Sequence, residues 1–400
     1  EALVGDLERH ARDEPLSIAP PSAWYRLKKL LIRRRGPALA IAAVFLSLVG
    51  GLIAFSIAAD RADREATAAQ LARAEAERVA GFLISLFEQV DPSRSRGNTL
   101  TAREILDSGA ARIQSELADQ PEVRGALLRT LGAVYESIGL YPQAEPLLVA
   151  AQAQARTPRD QALAAFALGR LRSSQGQYGQ ASTLYASAEA LAAGTSALSR
   201  AETADLYNRH GISERLQRHI DAALDLHLRE LVLRVNDVGP SSPQTARAYY
   251  AIGYIALTRA DYRSAELLFK RTIAIYEQHF DPDYSGLAGP LRALADVYDE
   301  QGDAKASEPL YLRALAITER VYGPDHPNVA LQANNLGVSY YHQDRLDEAL
   351  TYLTRSLAIN EKRLPADHPE LGNPYLNLGL VHLKRHEYAQ AEERFKRTMR

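Results

Sequence analysis

The chain has 400 residues, of which 46% are hydrophobic and 24% charged, so it is long enough for several structural units. A formal net charge of −2 gives no electrostatic support to a general nucleic-acid-binding role, so we expect no nucleic acid among its partners. The absence of cysteine excludes disulfides, thiolate zinc sites and cysteine nucleophiles.

Residues 1–36 contain a short amphipathic piece, a proline-rich stretch and a basic run. The basic residues of the run are Arg26, Lys28, Lys29, Arg33, Arg34 and Arg35. The sequence DLERHARDEPLSIAPPSAWYRLKKLLIRRR resembles the segment that leads from the kinase domain into the membrane in bacterial membrane-anchored serine/threonine kinases. The resemblance implies a cytoplasmic juxtamembrane linker, with a kinase domain upstream of Glu1.

No kinase motif lies within the chain itself. It has no glycine-rich phosphate loop, no His-Arg-Asp loop and no Asp-Phe-Gly triplet. We therefore expect the residues present to be non-enzymatic and to bind no cofactor, with ATP and Mg²⁺ confined to the upstream kinase domain.

Residues 37–59 form a segment apolar enough to cross a membrane. The segment holds no charged residue, and as a helix it would span about 35 Å against a hydrocarbon core of about 30 Å. A signal peptide is the alternative, but its apolar region is only about 7–15 residues long. Because six basic residues precede the segment, the positive-inside rule predicts a single-pass protein of the bacterial cell membrane. Its N-terminus would be cytoplasmic, the rest of the chain extracytoplasmic, and the lipid bilayer a partner.

Small residues recur every four positions within this segment, which is typical of close helix–helix contacts in membranes. They are Ala43, Ser47 and Gly51 on one line, and Gly50, Ala54 and Ala58 on another. A homodimer through this helix is one interpretation. The alternative is that an alanine-rich span shows this spacing by chance.

Residues 60–98 are predicted to form a juxtamembrane helix and a polar loop. The apolar residues near the end of the helix share one face: Val79, Phe82, Leu83, Leu86, Phe87 and Val90. Docking on the next structural unit is the simplest interpretation, and a dimeric coil is the alternative. Residues 99–120 are predicted to form a capping helix, because Thr101 and Glu104 have capping-box spacing.

Residues 121–400 contain seven similar units, each marked by one small residue. These marker residues are Gly132, Gly169, Gly211, Gly253, Ala295, Gly337 and Gly379, the last five spaced 42 apart. A second small residue stands 12 positions after each: Ala144, Ala181, Ala223, Ala265, Ser307, Ala349 and Ala391. The period predicts a solenoid of antiparallel helix pairs that meet at small side chains. A glycine inside a helix costs about 1 kcal/mol relative to alanine, so its recurrence indicates close helix approach.

The stretch GPDHPNVALQANNLGVSYYHQDRLDEALTYLTRSLAINEKRL (Gly323 to Leu364) resembles a tetratricopeptide repeat of the 42-residue kind found in kinesin light chains. The resemblance implies an all-α fold, in which a single transmembrane helix is followed by a right-handed superhelix of helix-turn-helix units. The third unit departs most from the pattern, with Glu214, His227 and Glu230 where tyrosine, an aromatic residue and alanine are usual.

Helix starts within the repeats are marked by local signals. Pro121, Pro158 and Pro243 suit a first helical position, and Ser199 with Glu202 has capping-box spacing.

Histidines are the main candidates for metal chemistry. His382 and His386 are four apart, but Leu383 stands where the zinc-hydrolase signature needs glutamate, and His382 occupies a packing position. His326 and His368 recur at the repeat step, which favours a structural turn over a catalytic base. We expect no metal site and no catalytic residue.

In a tetratricopeptide superhelix the first helix of each unit lines the concave face, and residues three before and one after each marker point into it. We predict a protein- or peptide-binding site on this face at Arg129, Phe166, Arg170, Asn208, Tyr250, Tyr254, Arg292, Asn334 and Leu376. The remaining positions of the set are Ala133, Ile212, Asp296, Val338 and Leu380. Asparagine pairs with peptide amides, arginine with carboxylates, and tyrosine offers rigid contact area. The alternative is that these residues are ordinary packing or solvated positions.

The leading functional hypothesis is the non-catalytic part of a bacterial serine/threonine kinase, a membrane-anchored sensor or scaffold that binds a peptide or protein. One alternative is a membrane-tethered scaffold for an envelope complex. The other is the repeat part of a transmembrane transcription regulator.

Overall fold

The computed structural model describes residues 102–116, 121–195, 197–365 and 368–398, together with scattered positions between 50 and 81 that are all helical. The chain divides into two units, Glu1–Leu71 and Ala72–Arg400. Residues 1–36 and most of the predicted membrane segment lie outside the described residues. Within the described part, no helix combines the length and the apolar character needed to cross a bilayer.

The described residues of the second unit form α-helices without strands, which confirms the all-α prediction for this part of the chain. The helices are α1 Ala102–Glu116, α2 Pro121–Ser137, α3 Tyr141–Gln154, α4 Pro158–Ser174, α5 Tyr178–Thr195, α6 Arg200–Leu216, α7 Ile220–Val238, α8 Pro243–Thr258, α9 Tyr262–His279, α10 Ala288–Glu300, α11 Ala304–Tyr322, α12 Pro327–His342, α13 Leu346–Glu361, α14 Gly372–Lys384 and α15 Tyr388–Thr398. Short 3₁₀ helices, Ser285–Leu287 and Pro369–Leu371, precede α10 and α14.

From α2 onward the helices pack as consecutive pairs, which we number repeats 1 (α2 and α3) to 7 (α14 and α15). The second helix of each repeat also packs on the first helix of the next repeat. In addition, first helices of successive repeats are in direct contact. For example, α2 contacts α4, and α12 contacts α14. This is the contact pattern of a solenoid, in which each unit buries its apolar face against its neighbours.

Each marker glycine lies against a large side chain 16 residues later on the second helix of its own repeat. A Cβ added to Gly132 would lie 2.5 Å from Leu148 Cδ2, and one added to Gly379 would lie 2.4 Å from Phe395 Cε1. The small residue 12 positions after each marker is buried as well, with Ala144 fully covered. The prediction that the paired helices meet at small side chains is therefore confirmed.

The predicted helix starts are found where they can be checked. Ser199 and Glu202 form a reciprocal capping box at the start of α6, and Pro158 and Pro243 occupy the first turns of α4 and α8. His326 Nδ1 accepts a hydrogen bond from the Asn328 N–H at 3.2 Å, and His368 does the same for Glu370 at 3.2 Å. The structural interpretation of these periodic histidines is therefore confirmed, while Thr101 lies outside the described residues.

Repeat 3 buries a histidine and a glutamate between its two helices. His227 and Glu230 are fully buried, and His227 Nδ1 lies 3.0 Å from Glu230 Oε2. At the position of Glu230, repeats 2 and 4 carry Ala188 and Thr272. His227 Nε2 and Glu230 Oε1 have no hydrogen-bond partner.

Candidate functional site

All nine predicted site residues lie on the first helices of the repeats, and we call the surface formed by these helices the first-helix face. It comprises α2, α4, α6, α8, α10, α12 and α14. Arg129 is 8% exposed and Leu376 39% exposed, and the other seven are half-buried. Half-burial is typical of side chains that are held by packing yet still present a surface.

Three of the predicted residues, Tyr250, Tyr254 and Arg292, meet in the middle of the face. The rings of Tyr250 and Tyr254 stand edge to face, with centroids 6.0 Å apart. Arg292 Nη2 donates to Tyr254 Oη at 3.3 Å, and Arg292 Nη1 lies 2.6 Å from Asp296 Oδ2. Residues from repeats 4 and 5, which are 38 to 46 positions apart in sequence, thus form one contact network.

A second guanidinium completes this network. The Arg215 Cζ lies 5.1 Å from the Tyr254 ring centroid, and the Arg292 Cζ lies 5.9 Å from the same centroid. Both distances are within the range of cation–π attraction. We call Arg215, Tyr250, Tyr254, Arg292 and Asp296 the tyrosine–arginine cluster.

The ionisable groups of the cluster are held by burial and by one another. Burial raises the pKa of Asp296, an effect that the Arg292 charge and the hydrogen bond from Tyr311 only partly offset. Burial opposes the charge on Arg292, but Asp296 and Tyr254 outweigh it and raise the pKa of Arg292. Burial also raises the pKa of Tyr250. At neutral pH the arginine is therefore a fixed cation and the tyrosine a neutral phenol.

Toward the N-terminal repeats, the predicted arginines are engaged with carboxylates. Arg129 Nη1 lies 3.5 Å from Asp160 Oδ1, and Arg170 Nη2 lies 2.8 Å from Glu136 Oε2. Both pairs join repeats 1 and 2, so they stabilise the packing of neighbouring repeats as well as lining the face.

The predicted asparagines are also engaged. Asn208 Nδ2 donates to the buried Glu230 Oε2 at 3.0 Å, and Asn377 Nδ2 donates to Asn334 Oδ1 at 2.9 Å. The Asn334 amide nitrogen and the Asn377 carbonyl are not used in that bond, so this pair retains a donor and an acceptor for a peptide backbone.

Near the C-terminal repeats the face becomes more apolar. Leu376 is exposed, and Val338 and Leu380 are half-buried beside the asparagine pair in the same repeats. Phe166, at the other end, packs its ring on Tyr185 at a centroid distance of 5.8 Å. The face thus offers charged, aromatic and apolar surface in succession.

Arg215 and Glu136 were not predicted from the sequence. Each stands four residues after a marker, and each contacts the residue one after the next marker, since Glu136 pairs with Arg170 and Arg215 covers Tyr254. The same two positions are therefore in contact at two repeat boundaries. The residue four after each marker is the sequence signal that would have found both.

Among the described residues, the histidines do not group into a metal site. His382 is 8% exposed, which confirms its predicted core position, and its Nδ1 lies 2.6 Å from Glu387 Oε2. Across the part of the chain that the structure describes, no group of three or more histidine, aspartate or glutamate side chains is placed to hold a metal ion. That the chain itself binds no cofactor stays a prediction.

A tetratricopeptide repeat family model matches residues 202–278, 287–362 and 330–400. These ranges cover nearly all of the helices of repeats 3 to 7, which therefore match the tetratricopeptide repeat pattern. Among curated proteins, no sequence matches this chain.

Solved structures with a similar fold include NprR in complex with its cognate peptide NprX. That structure has a TM-score of 0.55 and 12% identity, over 81% of this chain and 87% of that chain. A Rap protein complexed with Competence and Sporulation Factor has a TM-score of 0.53 and 14% sequence identity, over 69% of this chain and 75% of that chain. A putative kinesin light chain of Podosopora anserina has a TM-score of 0.42 and 16% sequence identity, over 50% of this chain and 92% of that chain. At these identities the likeness concerns the fold alone.

Proposed function

Because repeats 3 to 7 match the tetratricopeptide repeat pattern, we propose that the chain binds an extended peptide or protein segment on its first-helix face and performs no catalysis. The observation that supports this most is the tyrosine–arginine cluster. Tyr250 and Tyr254 were selected by their positions relative to Gly253 on α8, and Arg292 by its position relative to Ala295 on α10. The three residues form one network on one surface. We also propose that the repeats wind as a right-handed superhelix with this face on its concave side.

The chemistry of the face suits an extended peptide. Tyr250 and Tyr254 offer rigid apolar area with a polar tip, which limits the entropy lost on binding. The Asn334–Asn377 pair offers a donor and an acceptor to the peptide backbone. The structure of NprR with its cognate peptide is a precedent for peptide binding on a fold of this kind.

A selection with displayed random linear dodecapeptides tests this proposal. The 400-residue chain, in detergent micelles, should recover specific peptides, and the double variant Tyr250→Ala with Asn334→Ala should lose most of that binding. Leu267→Ala is the matched control, because Leu267 is 70% exposed on the second helix of repeat 4 and lies off the face. Peptide recovery that is unchanged in the double variant, with both variants folded, would contradict the proposal.

We further propose that residues 37–59 anchor the repeats to the bacterial cell membrane and place them outside the cytoplasm. The uncharged segment and the basic run before it support this topology. A reporter enzyme that is active only in the periplasm should be active when fused after Asp91. An inactive fusion that is nevertheless expressed would overturn the topology. The spacing of small residues in the segment supports a homodimer through this helix.

The resemblance of residues 1–36 to a kinase-to-membrane linker supports a serine/threonine kinase as the parent protein, with the repeats as its sensor. The rival proposals are an envelope scaffold and a transmembrane transcription regulator. The gene sequence encoding the residues before Glu1 discriminates them, because kinase loops or a DNA-recognition helix would be visible there.

A further inference from the structure

We propose that the tyrosine–arginine cluster is an anion subsite that takes an aspartate or glutamate side chain of the bound peptide, with Arg215 as the residue that pairs with it. This inference rests on the proposed peptide-binding function and specifies the chemistry that the face selects.

The predicted arginines of the first-helix face pair with carboxylates on the same face. Arg170 lies 2.8 Å from Glu136, and Arg292 lies 2.6 Å from Asp296. Each of these guanidiniums therefore pairs with a carboxylate that also lies on the first-helix face. Arg215 differs, because no carboxylate of the described residues forms an ion pair with it. Its guanidinium instead lies over the Tyr254 ring.

The residue equivalent to Arg215 in repeat 1 forms an ion pair, whereas Arg215 forms none with the described residues. In repeats 1 and 2, the residue four after the marker is Glu136 and the residue one after the next marker is Arg170, and the two form an ion pair. In repeats 3 and 4, the same two positions hold Arg215 and Tyr254, so a cation lies over a ring where in repeats 1 and 2 a carboxylate meets an arginine. The position that would neutralise Arg215 from within the chain is occupied by an aromatic residue.

The Arg215 guanidinium can bind a carboxylate while its Cζ lies over the Tyr254 ring. A guanidinium that covers a ring with its flat side still has N–H donors along its edge, and these match the two oxygens of a carboxylate. Arg215 is half-buried, which strengthens its attraction to an anion relative to a fully solvated side chain.

Arg292 reinforces the site from the other repeat, since its guanidinium lies 5.9 Å from the same ring. With Asp296 engaged by both Arg292 and Tyr311, the cluster has two cations and one anion. These five residues therefore carry a net positive charge. Asp299 and Glu300 act on Asp296, so Arg215, which has no carboxylate partner among the described residues, is the cation left to attract a carboxylate of the peptide.

The test uses the peptides recovered by the selection above, synthesised with amidated C-termini so that side chains supply the only carboxylates. We expect aspartate or glutamate to be enriched at one position of the recovered peptides. Replacing that acidic residue by its amide should weaken binding to the wild-type chain about tenfold, the loss typical of one charge-assisted pair. Arg215→Gln should weaken binding of the acidic peptide about as much and should abolish the difference between acid and amide peptides.

Arg229→Gln is the matched control. It removes the same charge from α7, where Arg229 pairs with Asp225 and is 55% exposed, so it should leave the acid-over-amide preference unchanged. Recovered peptides without acidic enrichment, or a preference that survives Arg215→Gln, would overturn this inference while leaving the binding face intact. Failure to recover any specific peptide would instead count against the proposed function itself.

Discussion

At the residue scale, the marker glycines are set by the large side chains that face them. A Cβ on Gly169 would lie 2.6 Å from Tyr185 Cε1, and one on Gly253 would lie 2.8 Å from Phe269 Cε1. Real Cβ atoms do not approach other atoms so closely, and rings within a packed core have little room to move. The absence of a side chain at these positions is therefore a packing requirement of the repeats that carry a marker glycine.

Gly337→Ala should destabilise the protein. The added Cβ would lie 2.7 Å from Leu353 Cγ and 3.1 Å from the Leu353 backbone nitrogen. Overpacking costs about 1–3 kcal/mol, and the gain in helix propensity of about 1 kcal/mol offsets it only in part. The midpoint of urea unfolding of repeats 5 to 7 should therefore shift to a lower urea concentration.

Gly125→Ala is the control for that substitution. Gly125 also lies in a helix, but its nearest neighbour, Arg129 Nη1, would be 3.7 Å from the added Cβ. We expect no loss of stability, and a gain of up to about 1 kcal/mol from helix propensity. Equal effects of the two substitutions would contradict the close-approach argument.

The buried His227–Glu230 pair is an energetic cost within repeat 3. Each residue has one buried polar atom without a partner, and such atoms cost about 1–3 kcal/mol. The same positions in repeat 4 hold Phe269 and Thr272, which are also fully buried. Apolar replacement of a buried polar pair by residues of similar volume is often stabilising.

The double variant His227→Phe with Glu230→Ala should therefore have a free energy of unfolding about 1–3 kcal/mol higher than the wild type, and it should unfold at a higher urea concentration. The reciprocal variant, Phe269→His with Thr272→Glu, should unfold at lower concentration because it introduces the polar pair into repeat 4. Circular dichroism during urea titration measures both. A less stable first variant would show that the pair supports repeat 3 instead of weakening it.

At the scale of helices, neighbouring repeats are joined by a recurring polar contact. The residue three after a marker reaches the residue 13 after the preceding marker: Arg172 lies 2.6 Å from Glu145, Tyr298 Oη donates to Glu266 at 3.1 Å, and Tyr340 Oη donates to Glu308 at 2.8 Å. Each contact joins the first helix of one repeat to the second helix of the repeat before. These bonds fix how far successive repeats can slide along one another.

Glu202 joins helices in a different way, because it both caps α6 and binds α4. Its carboxylate accepts from the Ser199 N–H at 2.8 Å and from Arg159 at 2.7 and 2.9 Å. Burial tends to raise the pKa of Glu202, but the hydrogen bonds from Arg159 and Ser199 outweigh burial and hold the pKa below its ordinary value. A carboxylate whose pKa is lowered by folding stabilises the fold above its unfolded pKa, and this contribution is lost as the pH falls through the folded pKa.

Glu202→Gln should therefore destabilise the protein by about 2 kcal/mol at neutral pH, and the difference from wild type should shrink below about pH 4. Thermal melts across this pH range measure the effect. Glu277→Gln is the control: Glu277 forms an exposed ion pair with Arg313, so its loss should change stability by less than about 1 kcal/mol at any pH. A Glu202→Gln deficit that is independent of pH would contradict the assignment.

The period of the helices could be predicted from the sequence because each repeat must place a small residue at the helix crossing, as Gly211 and Ala223 do. Helix starts were equally visible, since the Ser199 capping box involves only local contacts. The contacts of the site were less predictable. Arg129 is buried against Asp160, and Arg215 lies over Tyr254. Both contacts were hard to predict because they depend on the angle between successive repeats. That angle arises from packing across the repeat boundary, and no single repeat's sequence encodes it.

At the scale of the whole solenoid, stability is distributed along the repeats. Each repeat packs on its immediate neighbours, so the free energy of unfolding is close to a sum of repeat and interface contributions. Because of its buried His227–Glu230 pair, repeat 3 is the unit that we expect to open most easily. The tyrosine–arginine cluster lies directly beyond it, since Arg215 belongs to repeat 3 and Tyr254 to repeat 4.

The central claim, that the first-helix face is the binding surface, can be tested by photo-crosslinking to the peptide recovered most often from the selection. Benzoylphenylalanine would replace Tyr254 on the face in one variant and Leu267 on the second helix of repeat 4 in another. We predict a crosslink to the peptide from position 254 and none above background from position 267. A crosslink from position 267 with none from position 254 would contradict the account.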